Sequence, residues 1–225
     1  NLNCDLGEKS IHYDGKNESK LLKIINYENI SCGYHAGNNE IIDKTIKLAN
    51  KNKVSIGAHP SFNDRENFGR KKMNLSKNEL IRLLIDQLNI IQEIAIQNQT
   101  RISHVKPHGA LNNMACEDYE IALTIGQTIK EFNKELIYVV LPLCEMEKAA
   151  KKLSLNYACE IFADRNYEDN GQLVSRSKKY ALIEDANISL NNILEMLNTS
   201  SIKCFSGKMI KCNIDTICIH GDGIR

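Results

Sequence analysis

Seven short, β-rich apolar runs recur along the 225 residues, separated by amphipathic stretches, and nearly every run ends on a charged or imidazole side chain. The runs are Asn1–Cys4, Asn29–Gly33, Val54–Ala58, Ser103–Lys106, Ile137–Leu141, Tyr157–Ala163 and Thr216–Ile219. Between them, Glu40–Lys51 carries apolar residues at Ile42, Ile46 and Ala49, and Asn78–Gln97 at Leu80, Leu84, Leu88, Ile91 and Ala95, the spacing of one helical face. Ser76 followed by Glu79 is a capping-box signature, and Asp185 can cap the ISLNNILEML run. Only Ile202–Ile214 breaks the alternation, reading as a small hairpin around Ser206-Gly207. Strand–helix repetition with right-handed crossovers gives either a closed (β/α) barrel or an open doubly wound sheet. Polar residues at nearly every strand end favour the barrel, which gathers all its strand ends around one site, whereas an open sheet concentrates them at a switch point. The expected fold is therefore α/β, a seven-stranded (β/α) barrel, with residues 1–225 forming a single domain. Because the chain starts inside a strand without Met, a few N-terminal residues are expected to precede it.

Charge and composition narrow the function classes. The formal net charge is +1 and no basic stripe with interleaved aromatics is visible, so no nucleic-acid partner is expected. Apolar runs are interrupted well before bilayer-spanning length, and no basic region followed by an apolar stretch opens the chain, so no membrane association is expected. The eight cysteines form no C-x-x-C pair; they read as small core hydrophobes in a reducing cytoplasm. Neither G-x-x-x-x-G-K-[ST] nor G-x-G-x-x-G is present.

The strand ends carry the chemistry. His35 follows NISCGY, His59 follows VSIGA, His108 follows ISHVKP and His220 follows TICI, with His104 inside the third of these runs. In HVKPH, alternate residues of a strand share a face, so His104, Lys106 and His108 point together. A lysine inside a barrel is costly unless its charge meets a carboxylate, phosphate or substrate, whereas a lone histidine is often structural. The polar segment from His59 to Arg70 is long enough to cover a mouth and brings Asp64, Arg65 and Arg70, with Gly69 relieving a tight turn. The stretch EIFADRNYEDNGQLVSR combines Glu160, Asp164, Arg165 and Arg176; paired environments of this kind separate carboxylate pKa values, and arginine suits a carboxylate or phosphate. Asp5 and Glu8 follow the first run, and Asp222 the last. A divalent metal is conceivable, with Asp5, His35 and His59 as candidates, but no H-E-x-x-H motif supports it and metal-free acid–base chemistry is the preferred reading.

The ordered motifs NLNCDLGE, NISCGYHAG, GAHPSFNDRENFGR, HVKPHGAL, EIFADRNYEDNGQLVSRS and DTICIHGD resemble the LamB/YcsF family from the first residue to the last. The resemblance implies a seven-stranded barrel of the glycoside hydrolase/deacetylase kind, acting with two partner subunits to open the cyclic amide 5-oxoproline to L-glutamate with consumption of ATP in the assembled complex. It carries the family's polar motif residues onto Asp5, Glu8, His35, His59, Asp64, Arg65, Lys106, His108, Glu160, Asp164, Arg165, Arg176, His220 and Asp222; of these and the loop's Arg70, we read Asp5, Glu8, Asp64, Lys106, His108 and Glu160 as catalytic and His35, His59, Arg65, Arg70, Asp164, Arg165, Arg176, His220 and Asp222 as substrate-binding. Asp5, Asp64 or Glu160 would activate water, Lys106 with an arginine would steady anionic groups, and a rim histidine would protonate the leaving nitrogen. Asn38 stands where the family usually has Asp, Asn112 where it usually has Tyr, and a C-terminal helix is expected beyond Arg225. Two other readings stay open, a stand-alone metal-dependent amidohydrolase or deacetylase and a non-catalytic scaffold subunit.

Overall fold

The structure is a computed structural model and describes residues 1–11 and 15–220. Its strands are β1 (Leu2–Leu6), β2 (Tyr27–Ser31), β3 (Ser55–His59), β4 (His104–Val105), β5 (Ile137–Val140), β6 (Tyr157–Phe162), β7 (Ser201–Lys203), β8 (Met209–Lys211) and β9 (Thr216–Cys218). Seven of them close in the order β1-β2-β3-β4-β5-β6-β9, every pair parallel. These are the seven runs read from the sequence. The remaining two, β7 and β8, pair antiparallel as the expected hairpin.

Boundaries move where polar side chains lie inside the barrel. β2 begins at Tyr27, two residues before the apolar run suggests, because Tyr27 and Asn29 face a polar interior rather than water. β4 shrinks to two residues, since Pro107 has no N–H to extend the ladder.

The helices are α1 (Glu18–Leu21), α2 (Asn39–Asn52), α3 (Lys77–Gln97), α4 (Gly109–Glu117), α5 (Tyr119–Phe132), α6 (Glu145–Leu153) and α7 (Ala186–Thr199). Their starts follow capping chemistry. Ser76 and Glu79 form the reciprocal capping box of α3, and Asp185 accepts from the N–H groups of Asn187 and Ile188 at the start of α7. Asn38 accepts from Ile41 N–H at the start of α2, a capping role that Asp also fills. The main apolar core lies between helices and the outer face of the sheet, where Ile30, Ile42, Ile46, Leu84, Leu88, Ile91, Ile125 and Val140 are fully buried. Among the described residues no helix is long and apolar enough to cross a membrane. All eight cysteines carry free thiols; seven are buried and Cys212 is partly exposed.

Inside the barrel the filling is polar. Asn3 Nδ2 donates to Thr216 Oγ1 at 2.9 Å, and Asn29 Nδ2 donates to Asn3 Oδ1 at 2.9 Å and Asp5 Oδ1 at 2.8 Å. His104 Nε2 donates to Asn29 Oδ1 at 3.0 Å, and Ser103 Oγ, whose hydroxyl donates to the carbonyl of Ile56 at 3.0 Å, lies 2.8 Å from His104 Nδ1. Gly57 is required beside this ring, because a Cβ there would stand 2.2 Å from it. Burial holds His104 neutral, with its pKa lowered to about 3. This network is the floor on which the strand-end groups stand.

Candidate active site

Parallel pairing carries the strand ends to one side of the barrel, where Asp5, Glu8, His59, Lys106, His108 and His220 line one cleft of about 390 Å³. At its base Lys106 Nζ lies 2.9 Å from Asp5 Oδ1, 3.0 Å from Glu160 Oε1 and 3.2 Å from Cys218 Sγ. Burial works against the lysine charge, but Asp5, Cys218 and Glu160 outweigh it and hold the pKa well above the usual value. Burial also opposes ionisation of Asp5, yet His59 and Lys106 pull its carboxyl well below the ordinary range. For Glu160 burial wins, and its pKa is raised despite Lys106. One buried lysine therefore sits between two carboxyls of opposite tendency, Asp5 ionised and Glu160 inclined to keep its proton.

His220, just after β9, forms a second unit. Its Nδ1 lies 2.8 Å from Asp164 Oδ1, its ring stacks on Phe162 at 5.4 Å, and its Nε2 reaches to 3.8 Å from Asp5 Oδ2. Burial lowers its pKa, but the hydrogen bond and charge of Asp164 reverse the sign and raise it. Burial raises the carboxyl of Asp164, and His220 and Arg176 bring it below its usual value. The pair is an imidazole oriented by a carboxylate with its other nitrogen toward the cleft, the arrangement of a general acid–base group.

Three imidazoles and Glu8 form the opposite wall. Glu8 Oε1 lies 2.9 Å from His35 Nε2 and 3.4 Å from His108 Nδ1, and the rings of His35 and His108 stack 3.9 Å apart. Burial lowers the pKa of His35 and of His108 well below the imidazole value and raises that of Glu8. The segment from His59 to Arg70 buttresses this wall. Phe62 and Phe68 are buried within it, and Ala110 N–H donates to Gly69 O at 2.9 Å. Gly69, at φ +66°, has no room for a side chain: a Cβ would meet Ser61 Oγ at 2.1 Å and both His35 and His108 at 3.0 Å.

Other residues singled out in the sequence are placed elsewhere or differently. The Asp64 carboxylate turns into its own loop, accepting from the N–H groups of Asn67 and Lys71 and from Asn67 Nδ2. Arg65 donates to the carbonyls of Gly33 at 2.6 Å and Gly37 at 2.9 Å, tying two loops together. Arg165 is buried against the cleft with its guanidinium donating to the carbonyls of Val174 and Ala181; burial and Arg176 lower its pKa to about 10. Arg70 and Arg176 line the cleft, as does Asn112. Asp222 lies outside the described residues.

Sequence reasoning passed over Asn29, Cys218 and Phe162. Asn29 positions Asp5, Cys218 accepts from Lys106, and Phe162 lies under both His220 and Lys106 Nζ. An asparagine in a strand interior is a depleted residue type, which is the one signal that pointed to Asn29. Cys218 carried none, since a thiol in an apolar run is indistinguishable from core filling.

A closed parallel barrel with ionised, cationic and imidazole groups converging at the carboxyl ends of its strands defines a (β/α)-barrel protein with a site on that rim. The LamB/YcsF family pattern matches residues 1–225, and the chain belongs to that family. It is 43% identical over 222 residues to the 5-oxoprolinase A subunit of Staphylococcus epidermidis, covering 99% of this chain and 88% of that protein. It is 40% identical over 221 residues to the 5-oxoprolinase A subunit of Natranaerobius thermophilus, covering 98% of this chain and 86% of that one. Among solved structures it superposes on the lactam utilization protein from Thermus thermophilus with a TM-score of 0.90 at 33% identity, over 97% of this chain and 89% of the other.

Proposed function

We propose that this chain is the barrel subunit of a cytoplasmic ATP-dependent 5-oxoprolinase, a hydrolase that opens a cyclic amide to give L-glutamate together with two partner subunits. The observation that carries the reading is the facing pair in the cleft: Asp5, held ionised beside Lys106, and His220, oriented by Asp164, with 3.8 Å between them. A lactam is an unreactive amide, so transfer of the ATP γ-phosphoryl group to the carbonyl oxygen by the assembled complex would make the ring carbon electrophilic. Water, losing its proton to the Asp5–His220 pair, adds to that carbon; the C–N bond breaks as the ring nitrogen takes a proton from His220, leaving γ-glutamyl phosphate, and a second water hydrolyses that acyl phosphate to release phosphate. The balance is 5-oxoproline, ATP and two waters to glutamate, ADP and phosphate. Lys106 stabilises Asp5 and the developing negative charge, and Arg70 and Arg176 offer cations at the rim for a carboxylate or phosphate.

Glutamate release from 5-oxoproline, measured with ATP, with the chain alone and with its two partner subunits added, tests this. Turnover is expected only in the complete mixture; robust ATP-coupled release by the chain alone, or none with the partners present, would defeat the proposal. A second reading, a stand-alone amidohydrolase that needs no ATP, is favoured by the wall of imidazoles and Glu8, and ring opening by the isolated chain without ATP would select it.

A further inference from the structure

His59 and His108 face one another in a way that two neutral imidazoles do not tolerate. His59 Nδ1 lies 2.6 Å from the carbonyl oxygen of Lys106, and His108 Nε2 lies 2.8 Å from that of Phe68. A carbonyl oxygen only accepts, so each of those nitrogens carries its ring's hydrogen. With one hydrogen on each ring, the other two nitrogens, His59 Nε2 and His108 Nδ1, are lone pairs directed at each other across 2.9 Å of buried space, a contact that only a proton or a metal cation between them relieves. Carboxylate oxygens surround the same point. Glu8 Oε1 lies 3.4 Å from His108 Nδ1 and 3.8 Å from His59 Nε2, and Asp5 Oδ2 lies 3.4 Å from His59 Nε2. His35 Nε2 approaches the same Glu8 oxygen at 2.9 Å, while its Nδ1 is buried without a partner.

Such a collection of acceptors calls for a positive centre. Ligands about 2.0–2.1 Å from a metal ion stand roughly 2.9 Å apart at a right angle and roughly 3.4 Å apart at a tetrahedral one. His59 Nε2 to His108 Nδ1 at 2.9 Å and His108 Nδ1 to Glu8 Oε1 at 3.4 Å match those separations, and His59 Nε2 to Glu8 Oε1 at 3.8 Å corresponds to a wider angle. The two backbone carbonyls already do what outer partners of ligating imidazoles do, fixing each ring's tautomer and direction. Imidazole with carboxylate suits zinc and its first-row neighbours, not calcium or magnesium, which take all-oxygen sets.

The geometry points to a divalent transition-metal site formed by His59 Nε2, His108 Nδ1 and Glu8 Oε1, with His35 and Asp5 as flanking donors. A cation there would stand beside the cleft as a Lewis acid for water or for a substrate oxygen. Metal binding is read without turnover, so this inference and the oxoprolinase reading stand or fall separately.

The test uses the full chain, stripped with chelator and shown by circular dichroism to remain folded. Titration with Zn²⁺ in a calorimeter is expected to give about one ion per chain. Co²⁺ is expected to produce a visible d–d band, and X-ray absorption of the Zn²⁺ form to show at least two imidazoles. His59→Asn and Glu8→Gln should each weaken binding by about 10-fold or more, whereas Asp164→Asn, outside the ligand set, should bind the metal as the parent does. A folded parent protein that takes up no stoichiometric Zn²⁺ would overturn the inference and leave a shared proton between the two rings as the positive centre. Imidazole-free X-ray absorption of the loaded parent would overturn it too, and that readout does not depend on any variant folding.

Discussion

Lys106 is almost wholly shielded from water between Asp5 and Glu160, and its removal strands two buried carboxyls. Lys106→Ala is therefore expected to lower unfolding free energy by about 3–5 kcal/mol as well as to abolish activity. Adding Glu160→Gln should recover part of the stability but none of the turnover. A melting temperature for Lys106→Ala within a degree or two of the parent would show that the pair contributes little. His220 gives a kinetic counterpart. Because Asp164 is what raises its pKa against burial, Asp164→Asn should move the limb of the pH–rate profile that belongs to His220 toward lower pH. It should also reduce kcat by about 10²–10⁴, the range of a positioned acid–base group, with KM largely kept. An unshifted profile with unchanged kcat would remove the dyad from the mechanism.

At the level of elements, the capping box of α3 and the buried acid of β2 act in opposite senses. Ser76→Ala removes the Oγ that accepts from Glu79 N–H and donates to Glu79 Oε2, keeps the backbone N–H bond to Glu79, and is expected to cost about 0.5–2 kcal/mol, read from a denaturant melt. Glu28 lies under the helices with no hydrogen-bond partner for either carboxylate oxygen, and burial raises its pKa well above the usual value. The folded state thus binds its proton more tightly than the unfolded chain does. Its contribution is fully present below the unfolded pKa and is lost as pH rises toward the folded one. Glu28→Gln should accordingly raise the melting temperature at neutral and alkaline pH and flatten its decline from acid; an equal decline in parent and variant would exonerate the residue.

Elements of this kind show what a single sequence can disclose. The helix starts at Ser76 and Asp185 and all seven barrel strands were legible, because caps and apolar periodicity are local signals. The convergence of Asp5, His59, Lys106, His108 and His220 was legible from topology alone, since parallel strand ends share a side. The polar floor was not, because Asn3, Asn29 and Thr216 satisfy one another only after closure. Nor was the different placement of Asp64 and Arg65, whose partners are backbone groups of tight loops and carry no sequence mark.

Over the whole molecule, each barrel strand is clamped by neighbours on both sides, whereas β7 and β8 have only each other in their sheet. Hydrogen exchange should therefore protect the barrel amides as one cooperative block, with β7 and β8 opening at lower free energy; hairpin amides as slow as those of β1 would show one indivisible unit. The distribution of sulfur gives the same architecture a chemical clock. With seven thiols enclosed and Cys212 alone partly open to solvent, a thiol-specific reagent meets one fast target on the native protein. Label at Cys204 marks an opening of the hairpin, and label at Cys4, Cys159 or Cys218 marks an excursion in which the barrel has come apart, so the slowest phase of labelling counts openings of the barrel one molecule at a time.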